Sequence, residues 1–339
     1  MNSAPHIFRW DLDKTYLQTE FDTLKDLVKL AFQGPADKEN VPGSAELLRA
    51  LRIDSAGRAQ IFFISGSPRQ MRGVLSKKLK LDGVDFDGFV LKDNLRNLMR
   101  FRFRALKEQI GYKLPALLKA RAKAPLDANE TLFGDDAERD AFVYSLYGDL
   151  LAERVAPKAL EDVLNIAGVY PDCREAIYSG LDQLRSVDPV ERVIIHLDRK
   201  SPPVRFDAYG PRVVPVYNYF QAALVLFSDG RLKAKTVNRI GTALVDQYGF
   251  SMPVLIRSLQ DVLRRGAMSL KGVEHLAETA LAQGVDKSIV DRFTAETKAT
   301  QIKAGQKRAQ FVPDYASLLR RELERTRIEK SRKRRRLRW

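Results

Sequence analysis

The sequence predicts an α/β fold: a three-layer, doubly wound parallel sheet followed by a C-terminal helical extension. Two observations carry this expectation. Short apolar runs of strand length alternate with amphipathic helical segments through residues 6–198. The segments between the runs are also long enough for the crossover helices that parallel strands require. With 45% hydrophobic and 30% charged residues, the composition is that of a globular chain able to bury a core.

The elements follow in order. "HIFRWD" (6–11) is a β-rich run and reads as the first strand. "VPGSAELLRALR" (41–52) opens with Pro42, Gly43 and Ser44 and places Leu47, Leu48 and Leu51 on one face, so it reads as a helix. "AQIFFIS" (59–65) is a buried strand that runs into the turn "GSP". Met71, Val74, Leu75 and Leu79 recur at helical spacing within 68–81. "FDGFVLK" (86–92) is a third strand, and a long helical region follows over 94–123. "NETLFGD" (129–135) and "RVIIHLD" (192–198) complete the strands, with mostly helical sequence between them at 137–187. Residues 212–232, "RVVPVYNY" and "ALVLFSDGRL", are expected to extend the sheet edge. Residues 233–305 read as all-helical, and one of their helices ends at Gly284. The resulting division is 1–235, a helical extension at 236–305, and a basic C-terminal tail at 306–339 that reads as helical at first and then disordered.

Composition narrows the class. No run of about 18 apolar residues is present, so no transmembrane helix is expected, nor is a secretory signal visible at "MNSAPHIFRW". Cys173 is the single cysteine, which rules out an internal disulfide and a cysteine metal cluster, and fits a cytoplasmic protein. The net charge is +15, and the last twenty residues hold eleven Lys or Arg against three Glu. The tail therefore points to a polyanion more strongly than the body does.

The chemistry gathers where strands end. In an open parallel sheet, ligands bind beyond the carboxyl ends of the strands. Asp11, Ser65 and Asp135 end three separate strand runs and so reach one edge. Past a strand end, Asp11 and Asp13 splay around a single phosphate. Asp11 is then placed to attack phosphorus, and Asp13 to protonate the leaving oxygen and later activate water. Ser65 and the N–H of Gly66 are suited to the phosphate oxygens, and a lysine to the transferring group. A hard, oxygen-seeking cation, Mg²⁺, would offset repulsion between phosphate and carboxylates.

"DLDKT", "FFISGSP", "GYKLPALL" and "LFGDDAERD" fall in the order and spacing of the four motifs of the haloacid dehalogenase superfamily. Residues 6–235 resemble that superfamily, and more narrowly the catalytic domain of the actin-patch-associated phosphatidate phosphatase family. The resemblance implies a Rossmann-like fold with a minimal cap, and a Mg²⁺-dependent phosphatase working through an aspartyl-phosphate. It implies Asp11 as nucleophile, Asp13 as general acid/base, Thr15 as orienting the loop, and Ser65 and Lys113 as phosphate ligands. It assigns Asp135 to the metal, supported by Asp136 or Asp140, with Asp11 and the carbonyl of Asp13 as further ligands. The family shows a third acid where this chain has Lys14.

Each residue also has a plainer role. Asp135, Asp136 and Asp140 suit a helix N-terminus, and Ser65 suits a helix cap. Lys92, just after the third strand, is the alternative to Lys113. "RFRFR" (100–104) interleaves aromatics and cations as nucleic-acid binders do, yet Leu95, Leu98, Met99, Phe103, Leu106 and Ile110 keep the period of a core helix. His6, His196 and His275 have no ligand spacing and read as structural.

Cap insertions of the superfamily would fall within 16–42 or 93–112, and neither is long enough to fold alone. An open site suits a bulky substrate, and the family resemblance points to phosphatidate or another lipid phosphate at a membrane surface. A nucleic-acid-end phosphatase and a non-catalytic phosphate- or polyanion-binding module are the competing expectations. The tail fits an anionic membrane, with Leu337 and Trp339 as anchors, or a nucleic acid, or a solvated end.

Overall fold

A computed structural model describes residues 5–18, 39–68, 71–92, 106–298 and 311–336. Six strands form one sheet in the order β3-β2-β1-β4-β5-β6, every neighbouring pair parallel. They are β1 (His6–Asp11), β2 (Gln60–Pro68), β3 (Gly88–Lys92), β4 (Asn129–Asp135), β5 (Val190–His196) and β6 (Val213–Val216). The chain winds outward from β1 to β3, then crosses back to β4 beside β1. β1 and β4 therefore flank the point where the strand order reverses, which is where open α/β sheets bind ligands.

Both faces are covered, so the strands read as continuous apolar runs. Side chains still alternate along each strand. Phe8, Trp10, Ile61, Phe63, Phe133 and Ile194 join one core. That core includes α1 (Ser44–Asp54), α2 (Arg72–Leu81), α7 (Tyr219–Ser228), α8 (Ala234–Tyr248), α9 (Met252–Arg264) and α10 (Leu270–Ala282). Ile64, Leu132, Val193 and Ile195 face the other core. There they meet α3 (Leu106–Arg121), α4 (Asp140–Leu151), α5 (Pro157–Ala167), α6 (Pro171–Asp182) and the start of α12 (Tyr315–Arg336). The remaining helix, α11 (Lys287–Lys298), packs on α10 and α9.

The second face of β1 carries polar groups. Arg9 donates to Glu130 of β4 through Nε and Nη2, both at 2.8 Å, and Tyr147 of α4 donates to the same carboxylate at 3.0 Å. All three are buried. Alternation then puts Asp11, two residues beyond Arg9, on the face that α3 and α4 cover.

Two expectations are corrected. Residues 219–228 form helix α7, not an extension of the sheet edge; only Val213–Val216 of that region is a strand. The Asn218 carboxamide oxygen caps α7 by accepting the Gln221 N–H at 3.0 Å, and Tyr219–Leu226 are all buried. A helix enclosed on every side shows no amphipathic period, so its sequence resembles a buried strand. The tail is also helical further than expected, to Arg336. Residues 19–38, 93–105 and 337–339 lie outside the described residues, and with them "RFRFR", Leu337, Trp339 and most of both possible cap positions.

Candidate active site

Asp11 is the last residue of β1 and is 2% exposed. The chain then turns tightly. The Tyr16 and Leu17 N–H groups both donate to the Leu12 carbonyl, at 3.0 and 2.9 Å, and Lys14 N–H donates to Leu17 at 2.8 Å. Lys14 sits in the left-handed region, at φ 60°. Two side chains hold the turn from outside: His196, at the end of β5, bonds the Lys14 carbonyl through Nδ1 at 2.9 Å, and Tyr219 Oη donates to the Thr15 carbonyl. The Lys14 ammonium lies 3.6 Å from Asp198. Where the family pattern has an acid, this chain thus has a base paired with an acid of the loop after β5. The Thr15 side chain is fully buried.

Asp13 follows the strand end, and its Oδ2 accepts from Ser65 Oγ at 3.3 Å. Ser65 lies on β2 just before a register shift against β3. Tyr112 of α3 donates to the Ser65 carbonyl at 2.7 Å and approaches that of Val90 at 3.1 Å, tying both strand ends to α3. Among the described residues, a Cβ at Gly66 would meet nothing within 4 Å, so the backbone there is open to a ligand.

One residue along α3, Lys113 is buried and its Nζ donates to three carboxylates. These are Asp11 Oδ1 at 2.9 Å, Glu138 Oε2 at 2.8 Å and Asp140 Oδ1. Lys92 ends β3, but its side chain lies outside the described residues. Asp140 begins α4 and also accepts the Asp135 N–H through Oδ2 at 3.2 Å. This close approach needs Gly134, because a Cβ there would run into Asp140. Asp135 ends β4; its Oδ1 accepts from the N–H of Ala137 and, at 2.7 Å, of Glu138.

Asp11, Asp13, Ser65, Lys113, Asp135 and Asp140 are thus brought to one edge. Asp136 is turned away from them. Its two carboxylate oxygens accept the N–H groups of Arg199 at 2.8 Å and Ser201 at 3.0 Å, pinning the loop after β5. Glu138 joins the cluster without having been expected. Its only sequence signal is being one more acid in "GDDAERD", and the turn geometry decides which acid points inward.

The electrostatics follow from burial. Desolvation pushes Asp11 and Asp135 well above the usual carboxylate range; Lys113 opposes this at both, while neighbouring acids reinforce it. Asp140 is pushed up to about 6 by the same burial, against the pull of Lys113. Burial alone would lower Lys113, but Asp11, Asp140 and Glu138 together hold it well above its ordinary value. Asp11 cannot be both neutral and the charge that holds the ammonium. Lys113 stays charged, and protons are shared among Asp11, Asp135 and Asp140, whose titrations are linked.

That surplus of negative charge fits a further cation. Asp11, Glu138 and Asp140 each offer an oxygen, all within 4.8 Å of one another. Lys113 already engages those three. In addition, Oδ2 of Asp11 and Oδ2 of Asp135 are buried with no hydrogen-bond partner among the described residues. An anionic oxygen left in that state is costly unless an ion or a bound ligand completes it.

Polar groups from β1, β2, α3, β4 and α4 converge at the switch point of a doubly wound sheet, where such folds bind ligands. Residues 10–157 match the family model described as the catalytic domain of phosphatidate phosphatase APP1, from within β1 to the start of α5. This stretch is similar to an APP1-type catalytic domain, and the similarity implies the enzyme class phosphomonoester hydrolase. No curated protein and no solved structure matches the chain.

Proposed function

We propose that this chain hydrolyses a lipid phosphomonoester, phosphatidate or a close analogue, through an aspartyl-phosphate on Asp11. The observation that carries the mechanism is the buried Asp11: Lys113 takes one of its oxygens and leaves the other without a hydrogen-bond partner among the described residues. The free oxygen attacks phosphorus as the bond to the leaving oxygen breaks, and Asp13 gives that oxygen its proton. Asp13 then takes a proton from water, whose oxygen attacks the phosphoenzyme, releasing phosphate and restoring Asp11. Ser65 and the Gly66 N–H hold the phosphoryl oxygens, where positioned donors contribute most as charge develops, and Lys113, whose three N–H groups go to Asp11, Glu138 and Asp140, adds positive charge beside them.

Asp11, Asp135 and the carbonyl of Asp13 would hold a divalent cation, with Asp140 and Glu138 beside them. Mg²⁺ suits this all-oxygen set, and when bound would supply charge neutralisation at the phosphoryl group. The lipid substrate rests on the family match over residues 10–157.

Asp11→Asn tests the mechanism. The variant should keep its fold by circular dichroism and lose hydrolysis of an aryl phosphate in Mg²⁺; retained turnover refutes the phosphoenzyme. Phosphatidate in mixed micelles against 5′- and 3′-phosphorylated oligonucleotides tests the substrate. Preference for an oligonucleotide end replaces the lipid with a nucleic-acid substrate.

A further inference from the structure

The basic C-terminal helix does not leave the molecule at random. Tyr315, Leu318 and Leu319 are buried at its start. Tyr315 Oη donates to Asp149, near the end of α4. Further along α12, Glu322 pairs with Arg139 and accepts from Tyr209 at 2.6 Å, and Thr326 takes a bond from Arg139 at 2.6 Å. Positions 315, 318, 319, 322 and 326 form one helical face. Arg139 immediately precedes Asp140 at the start of α4. The helix therefore travels from the far end of α4 to the end that carries the site. It continues through residues 327–336, about 15 Å at 1.5 Å per residue. That stretch holds seven Lys or Arg against one Glu.

The same edge of the sheet carries more. Arg199 and Lys200 are exposed on the loop after β5, which Asp136 pins by two backbone bonds. Arg205 is exposed just beyond them. Two apolar side chains are exposed at this edge: Val204, next to Arg205 in the chain, at 69%, and Tyr217, which directly follows β6, at 44%. Mixed cations and outward apolar groups suit a lipid interface, where aromatic rings and aliphatic groups enter the headgroup layer. A nucleic-acid groove would use the charge and leave Val204 without a partner.

We infer that the catalytic edge is a membrane-docking face: α12 and the 199–205 loop seat the site on an anionic bilayer, with Val204 and Tyr217 at the interface. The inference rests on the proposed lipid substrate for its purpose, yet it is testable apart from it. No described helix is long and apolar enough to cross a membrane, so the contact is peripheral.

The test is co-sedimentation of the full chain with phosphatidylcholine vesicles, with and without phosphatidylserine, and no phosphatidate. Binding should require phosphatidylserine and weaken with salt. A variant neutralising the arm (Arg332→Gln, Lys333→Gln, Arg334→Gln, Arg335→Gln and Arg336→Gln) should bind at least about tenfold more weakly, since each basic residue near such a surface contributes about 1 kcal/mol. Tyr217→Ser should weaken binding without changing its salt dependence. Aryl phosphate hydrolysis should be unchanged in both, showing that they fold. Equal binding to neutral and anionic vesicles, or full binding by the neutralised arm, overturns the inference; so does tighter capture by single-stranded DNA with none by phosphatidylserine. Vesicle binding without phosphatidate turnover leaves the docking face standing and removes the lipid substrate.

Discussion

Gly134→Ala should inactivate the enzyme while leaving it folded. The β4–α4 turn brings the first residue of α4 against the sheet, and Gly134 is where it passes. A Cβ at this position would lie 2.6 Å from Asp140 Cγ and closer still to its Cβ, whereas ordinary contacts begin at 3.4 Å. Rotating the Asp140 carboxylate cannot relieve this, because its Cβ moves only with the backbone of α4. The helix start must recede by roughly 1 Å, taking Asp140 and with it the Lys113–Asp11 contact; a misplacement of that size costs about 10²-fold in rate. The overpacking itself should cost about 1–3 kcal/mol of stability. Aryl phosphate hydrolysis in Mg²⁺ measures the first and urea unfolding the second. Gly73→Ala is the control: it lies in α2, its Cβ meets nothing within 4 Å among the described residues, and it should be neutral or up to about 1 kcal/mol stabilising. Undiminished kcat in Gly134→Ala would refute the idea that Asp140 sets the position of Lys113 and Asp11.

Three further outcomes are expected. Lys113→Met leaves Asp11, Glu138 and Asp140 without their shared cation, so it should lose turnover and about 3–5 kcal/mol of stability at neutral pH by urea unfolding; a loss below ~1 kcal/mol would contradict the buried charge balance. Glu130→Gln strips Arg9 of its buried partner in the middle of the sheet and should destabilise by a similar 3–5 kcal/mol with no specific effect on KM. His6 gives a pH dependence. Burial, then Arg231, hold its pKa down to about 3 from 6.5, outweighing Glu191 at 3.9 Å, which is already paired with Arg231. The unfolded chain takes up a proton below 6.5 that the folded chain refuses, so stability should fall as pH drops from 6.5 towards 3. The slope is at most about 1.4 kcal/mol per pH unit, and His6→Gln should remove it in urea melts at pH 7 and pH 5.

What the sequence determined by itself is everything that local pattern encodes. Strand-length apolar runs and crossover helices specify a parallel sheet, and parallel strands put Asp11, Ser65 and Asp135 on a common edge. The family resemblance of "GYKLPALL" implies Lys113, with Lys92 as the alternative, and the Lys113 Nζ lies beside Asp11. Tertiary structure alone decided the rest, because it depends on contacts between segments far apart in the chain. Asp136 and Glu138 are indistinguishable as acids in one turn, yet one ties down the loop after β5 and the other meets Lys113. Lys14 looks like an anomaly until Asp198 and His196 arrive from β5 to hold its turn. Residues 219–228 read as a strand because a helix buried on all sides loses its period. The basic tail shows its charge in the sequence, but its direction comes from Tyr315 on Asp149 and Glu322 on Arg139, across 166 and 183 residues of chain.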